Sequence, residues 1–329
     1  MGVTMPVCQI ALSTTDLMRA LHWYQRTFDW SVSRAKVEHE GETWARVPGL
    51  PEAKFSVAWM VEQRPFFEFE VFEFERPRMR LQRLDALPSD IGYSRLGLQV
   101  PNWDALLERL ACTGGSFLSA PLGTRGERRV CMRDPEGVLL ELIEAPTGAE
   151  RPHAHATLAT VRSITLSVGN LDKAARFWSD ALGLPEERGP RLHEQEHERL
   201  WGLPGAQCSS LVFNAGSGFL VELVQYTQPA GRNRPAGYLL SDQGILNVAL
   251  GTTDRAQFEA VFTRAEGAGY RPCSKPWTLA NVATVVYLQD GQGFTVELMC
   301  VEPHALERMG FRSDQKCAPT LTPYVLGSP

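Results

Sequence analysis

His193-Glu194-Gln195-Glu196-His197 spells the metalloprotease pattern His-Glu-x-x-His. On a helix, that spacing puts two imidazoles on one face and leaves the glutamate as a base. Gly189-Pro190 just upstream disfavours a long helix, so the segment reads as a connection and the match as coincidence. FFEFEVFEFE (66–75) alternates aromatic and acidic residues as a two-faced strand does. Glu68 and Glu70 then share a face, where like charges oppose ionisation, and Glu73 points the other way. GTRGERR (123–129) is the basic cluster: Arg125, Arg128 and Arg129 coat a hairpin or, alternatively, clamp an acidic substrate. GRNRPAG (231–237) offers a second clamp through Arg232 and Arg234. Trp44, Trp59, Trp201 and Trp277 read as core or cleft lining, and an aromatic-walled cleft suits a hydrophobic ligand.

The elements that must position these residues are repeated. CQIALSTTDLMRALHWYQRTFDW (8–30) parallels RSITLSVGNLDKAARFWSDALGL (162–184): a short apolar strand, a turn, then an amphipathic helix with paired aromatics. Asp16 and Asn170 suit the N-cap, because a short oxygen-bearing side chain accepts a free amide of the first turn. EVFEFERP (70–77) aligns with ELVQYTQP (222–229), placing Glu222 on Glu70, and LPEA (50–53) aligns with LPGA (203–206). Segments 92–115 and 244–269 each read as glycine, strand, capped helix and glycine-rich end. Both lead to a strand–turn–strand, at 130–146 and 285–300, with glycines where a positive φ is expected. Four modules result, near 1–80, 88–146, 158–230 and 240–302.

Composition narrows the classes. The 329 residues are 43% hydrophobic and 22% charged with net charge −5, which is globular and carries no nucleic-acid or membrane-surface footprint. No apolar run approaches a membrane span, and the N-terminus does not read as a signal peptide. Seven scattered cysteines without Cys-x-x-Cys suit a reducing cytoplasm.

The opening strand–Asp-Leu–helix at 8–24, RDPEGVLLEL at 133–142 and LWGLPG at 200–205 resemble the vicinal-oxygen-chelate superfamily, which includes glyoxalase I, extradiol dioxygenases and bleomycin-resistance proteins. The resemblance covers roughly residues 6 to 302 and implies an α+β fold. Four βαβββ modules would pair into two glyoxalase-like domains, each a curled mixed sheet around a cleft. The expected division is an N-terminal domain (1–147, modules one and two), a linker (148–160), a C-terminal domain (161–302, modules three and four) and a tail (303–329).

That family builds its site from the first strand of each module and a glutamate on the last. Carried over, the N-terminal cleft would hold Gln9, Glu70, Arg95 and Glu141, and the C-terminal one Ser163, Glu222, Asn247 and Glu297. None of the four positions that admit histidine carries it. Iron-dependent ring cleavage, which needs two histidines and a carboxylate, is therefore disfavoured. The glyoxalase pattern of Gln or His, Glu, His, Glu would place Arg95 at its histidine, where a fixed cation repels a metal. A metal-free site is favoured, with magnesium or manganese on Glu222 and Glu297 of the C-terminal domain as the alternative. No nucleotide cofactor is expected.

Two functions follow from the resemblance. One is a lyase or isomerase in which Glu70, Glu141, Glu222 or Glu297 moves a proton beside a carbonyl, with Arg95 or an ion stabilising the enolate and Asn247 in support. Gln9, Ser163 and Arg232 would bind substrate. The other is a binding protein like the bleomycin-resistance members, holding an aromatic or cationic compound without chemistry. Either way the partner is a small molecule, with no nucleic acid or membrane, and the chain is a cytoplasmic monomer or homodimer.

Overall fold

The computed structural model describes residues 5–50, 52–146, 157–188, 192, 194–279 and 281–311. Module one runs β1 (Val7–Ser13), α1 (Leu17–Phe28), β2 (Ser31–Glu40), the short α2 (Glu42–Arg46), β3 (Lys54–Val61) and β4 (Glu68–Arg76). Module two has β5 (Gly92–Val100), α3 (Trp103–Thr113), β6 (Arg129–Arg133) and β7 (Leu139–Glu144). Module three has β8 (Thr160–Ser167), α4 (Leu171–Arg176) continuing into a π-helical turn (Phe177–Ala181), β9 (Gln207–Asn214) and β10 (Leu220–Gln228). Module four has β11 (Gly244–Thr252), α5 (Arg255–Gly267), β12 (Arg271–Pro272), β13 (Trp277–Leu279), β14 (Ala283–Gln289) and β15 (Thr295–Val301).

Local chemistry starts each helix as the sequence indicates. Asp16 accepts the Arg19 amide at 2.9 Å and Asn170 the Lys173 amide at 2.8 Å, each satisfying a first-turn donor. The apolar stripe of α1 then buries Leu21, Tyr24 and Phe28 against the sheet, where Tyr24 stacks on Trp30 at 5.2 Å. The Tyr24 hydroxyl donates to Asp134 in the β6–β7 turn at 2.7 Å, tying module one to module two. In that turn Gly137 takes φ +85°, the left-handed geometry expected of it.

The strands form two mixed open sheets, and these do not follow the halves of the chain. One sheet has nine strands in the order β12-β14-β15-β11-β1-β4-β3-β2, with β13 on β14. The other has six, β6-β7-β5-β8-β10-β9. Module one is thus completed by module four, and module two by module three. This corrects the expectation that modules one and two share a cleft, as modules three and four would. Within each module the first and last strands run parallel (β1 with β4, β11 with β15), which leaves one edge of the first strand open. β11 fills the edge of β1 with Gln9 opposite Ala249 and Ala11 opposite Asn247, and β8 fills that of β5 with Arg95 opposite Thr165. The four first strands are alike in length, 7 to 9 residues, so nothing local selects the partner.

Helices cover the outer faces of both sheets. The tail begins as a 3-10 turn (Pro303–Ala305) and a short α6 (Leu306–Met309), and it returns Phe311 onto Phe66 at 4.7 Å. Residue 147, residues 148–156 of the linker, 312–329 of the tail and His193 lie outside the described residues. No helix among the described residues is long and apolar enough to cross a membrane.

The β1–β11 seam is closely fitted. A methyl built on Gly251 would meet Cys8 Sγ well inside van der Waals distance and Phe66 at 3.0 Å. Gly251→Ala is expected to lower stability by about 1–3 kcal/mol, the cost of overpacking, read as a lower urea midpoint at unchanged slope.

Candidate active site

The seam decides which side chains meet. In the nine-stranded sheet, β1, β4, β11 and β15 carry Gln9, Glu70, Asn247 and Glu297 to one concave face, and all four are buried. Gln9 Nε2 donates to Glu70, and Asn247 Nδ2 donates to Glu297 Oε2 at 3.1 Å. Above them opens a cavity of about 220 Å³ walled by Trp44, Phe55, Trp59, Phe72, Trp277 and Tyr287. His39 stacks on Trp44 at 3.8 Å, and Arg34 lies over the Trp59 ring at 4.8 Å.

This floor is acidic and buried. Burial first, then the charge of Glu297, pushes Glu70 well above the ordinary carboxylate range, against the opposing hydrogen bonds from Trp59 and Gln9. Glu297 rises to about 7 through burial, held from rising further by the Tyr287 hydroxyl and Asn247. Glu68 lies on the same face, fully buried, with neither oxygen hydrogen-bonded among the described residues, and burial lifts it well above its usual range too. Glu73 does point opposite, accepting the Leu17 amide at 3.1 Å. The main charged neighbour of Glu70 is nevertheless Glu297, from the far end of the chain.

The six-stranded sheet gathers Arg95, Glu141, Ser163 and Glu222, and its concave face is filled. Arg95 Nε reaches Glu141 at 3.1 Å and its Nη2 reaches Glu222 at 2.8 Å. The Thr165 hydroxyl donates to Glu222 at 2.8 Å, and Arg129 closes on Glu141 at 2.7 Å. Trp201, from LWGLPG, lies flat over the Arg95 guanidinium at 3.5 Å. Burial opposes the Arg95 charge, but Glu141 and Glu222 more than offset it and hold the guanidinium above its ordinary range. Ser163 sits behind Gly97, its partner across the β5–β8 seam.

Several expectations are corrected here. Arg95 pairs with Glu141 and Glu222 instead of facing an open cleft, and Arg95 is absent from the site holding Glu70. Glu222 and Glu297 belong to different sheets and cannot share a metal. Arg232 does not clamp a ligand, because it pairs with Asp85 at 2.6 Å and Asp90 at 2.7 Å between the two inter-module connections. Of the basic cluster, Arg128 pairs with Glu144 at 2.6 Å while Arg129 joins the plug. Gln195–Arg199 is a 3-10 turn, and buried His197 contacts Arg129 at 2.9 Å, so the His-Glu-x-x-His match is not a zincin helix. Arg34, His39 and Tyr287 are site residues that the sequence reading missed. Arg34 and His39 lie outside the repeated motifs, Tyr287 lies in the repeated 285–300 strand–turn–strand without a role being read for it, and only the fold brings β2 and β14 to the same cavity.

The metal implied by the resemblance can be tested against this donor set. Two carboxylates and two amides offer no imidazole or thiolate, which does not suit zinc or iron. Among the described residues no three His, Cys, Asp or Glu side chains form a metal-binding group. Both amides turn their N–H groups, not their oxygens, toward the carboxylates, a hydrogen-bonded arrangement and not a cation cradle. The residues present do not fit a resident metal. Gln9 Oε1 and Asn247 Oδ1 are left buried without partners, as acceptors for a ligand's O–H or N–H.

Comparison with known proteins agrees with this fold. Residues 7–142 match the family model described as Glyoxalase/Bleomycin resistance protein/Dioxygenase superfamily. A protein from Bacillus subtilis subsp. subtilis str. 168, described as a "putative dioxygenase", superposes with TM-score 0.62 at 14% identity, over 92% of this chain and 86% of its own. Glyoxalase I from Zea mays superposes with TM-score 0.59 at 18% identity, over 90% of this chain and 92% of its own. At these identities the likeness is one of fold. No curated protein matches the sequence.

Two outcomes are expected. Arg95→Ala would take the guanidinium away from buried Glu222 and leave Glu141 with Arg129 alone, lowering stability by about 3–5 kcal/mol, measured by chemical denaturation. Glu297 binds its proton more tightly folded than unfolded, so its stabilising contribution is complete below about pH 4.5 and is lost as pH rises toward about 7. In Glu297→Gln the stability–pH curve should be flatter across that window than in the wild type.

Proposed function

We propose that the protein is a small-molecule isomerase or lyase that moves a proton next to a carbonyl, working in the cleft of Gln9, Glu70, Asn247 and Glu297. The observation that carries this reading is the pair of buried, interacting carboxylates at the floor of an aromatic cavity, one raised to about 7 and the other well above its usual range. Near neutral pH such a pair offers one ionised and one protonated carboxyl, the base and acid that enolisation needs.

In this mechanism the substrate's ring or chain packs among Trp44, Trp59, Phe72 and Trp277, with its carbonyl directed to the floor. Ionised Glu297, oriented by Asn247 and Tyr287, takes the proton from the carbon beside the carbonyl. As that C–H bond breaks, its electron pair passes to the carbonyl oxygen, which takes a proton from the Glu70 carboxyl. Return of the proton to another carbon gives an isomerisation, and departure of a β-substituent gives a lyase. The enolate is stabilised by the Glu70 proton instead of by Arg95, which lies in the other sheet. Burial of the floor makes each of these hydrogen bonds count for more than it would in water.

A second reading has its own support. The walls are largely aromatic, which suits a protein that only holds a hydrophobic compound by stacking.

Acetophenone in deuterium oxide separates the two, with loss of its methyl proton signal followed by NMR. Catalysed exchange is expected, slowed about 10²- to 10⁴-fold in Glu70→Gln and Glu297→Gln. Elemental analysis should give well under one equivalent of divalent metal per chain, and a chelator should leave the rate unchanged. Tryptophan quenching by acetophenone with no exchange above buffer would favour the binding reading. A stoichiometric metal lost in Glu297→Gln would overturn the metal-free mechanism.

A further inference from the structure

A second cavity, of about 170 Å³, lies between the two inter-module connections, outside both concave faces. Its walls carry Arg80 and Arg83 from the first connection, Arg133 from the end of β6 and Arg234 from the second connection. Backbone carbonyls hold all four in place. Arg80 donates to Ala236 at 3.0 Å and Gly237 at 3.3 Å, and Arg83 donates to Asn233 at 3.0 Å. Arg133 donates to Gly137 at 2.6 Å and Ala86 at 3.2 Å. Arg234 donates to Gly293, its guanidinium lying over Tyr238 at 4.3 Å and Phe294 at 4.6 Å.

Among the described residues none of the four has a carboxylate within ion-pair distance, in contrast to neighbouring Arg232 with its two. The acids facing the cavity are engaged elsewhere. Asp90 is taken by Arg232, and Asp242 accepts the backbone amides of Arg80 and Leu239, each at 3.1 Å. Glu136, reached through Gln243, is taken by Arg19 at 2.6 Å. Each guanidinium has five N–H donors, and the carbonyl bonds use only one or two of them. The cavity is therefore lined by anchored guanidiniums with donors to spare, which feel the charges of Asp85, Asp134 and Asp290 without being ion-paired to them.

We infer that this cavity binds a small doubly charged oxyanion, the chemistry shared by a phosphate group and a dicarboxylate. The planar fork of arginine matches both, and anchoring the side chains beforehand lowers the entropy lost on binding. The site stands independently of the proton-transfer reading, because it shares no residue with the Glu70–Glu297 cleft.

Calorimetric titration of the full chain with inorganic phosphate and, separately, with succinate at constant ionic strength tests this. Saturable one-to-one binding of either anion is expected, and the tighter one identifies the source. Arg83→Gln and Arg80→Gln, both on exposed side chains, should each weaken it by about tenfold or more. Arg109→Gln, which removes a surface arginine paired with Asp29, should leave it unchanged. Absence of saturable binding by both anions overturns the inference, as does binding that survives the Arg80 and Arg83 substitutions.

Discussion

The antiparallel seam between first strands from opposite halves of the chain is the constraint on which the rest of the structure depends. A parallel first–last strand pair leaves an open edge, and an unpaired edge inside a folded protein leaves its backbone donors and acceptors unsatisfied. Pairing β1 with β11 meets that requirement and, in the same step, sets Gln9 and Glu70 against Asn247 and Glu297. Pairing β5 with β8 does the same for Arg95, Glu141, Ser163 and Glu222. Two sites built on one plan therefore differ only in the side chains that each seam brings in.

Those differences give the two concave faces opposite electrostatic solutions. Where β5 supplies arginine, two carboxylates are paired with it under Trp201, and the space is filled. Where β1 and β11 supply neutral amides, the glutamates have among the described residues only half-buried Arg34 as an opposing charge, and it does not offset their burial. Their charge is limited instead by burial and mutual repulsion, so protons reside on the floor. A carboxyl that is costly to ionise is also one whose proton is available near neutral pH, and that links the aromatic wall to the chemistry proposed for it.

Much of this was legible in the sequence because it is local. The caps at Asp16 and Asn170, the turn at Gly137 and the alternation that sets Glu70 against Glu73 need only neighbouring residues, and each stands as read. The choice of partner strand is not local. Gln9 and Ala249 meet across about 240 positions of chain, and nothing in β1 distinguishes β11 from β5. That one ambiguity carried Arg95 into the wrong site and put Glu222 beside Glu297. With the seam known, Gln9, Glu70, Asn247 and Glu297 follow the glyoxalase order of Gln, Glu, His and Glu, with asparagine in place of the histidine.

The nested arrangement of the seams also has a bearing on when each cleft comes into being. Arg95 and Thr165 are only about 70 positions apart, so the inner sheet has all its strands once the chain has been synthesised through β10. The outer sheet holds its first strands from the start of translation yet lacks β11 and β15 until the fourth module emerges. On the ribosome, the strands of the arginine-plugged pair are thus all present before those of the carboxylate cleft. The carboxylate cleft is completed only when β11 and β15 join, and until then Glu70 lacks Glu297, whose charge adds to the effect of burial.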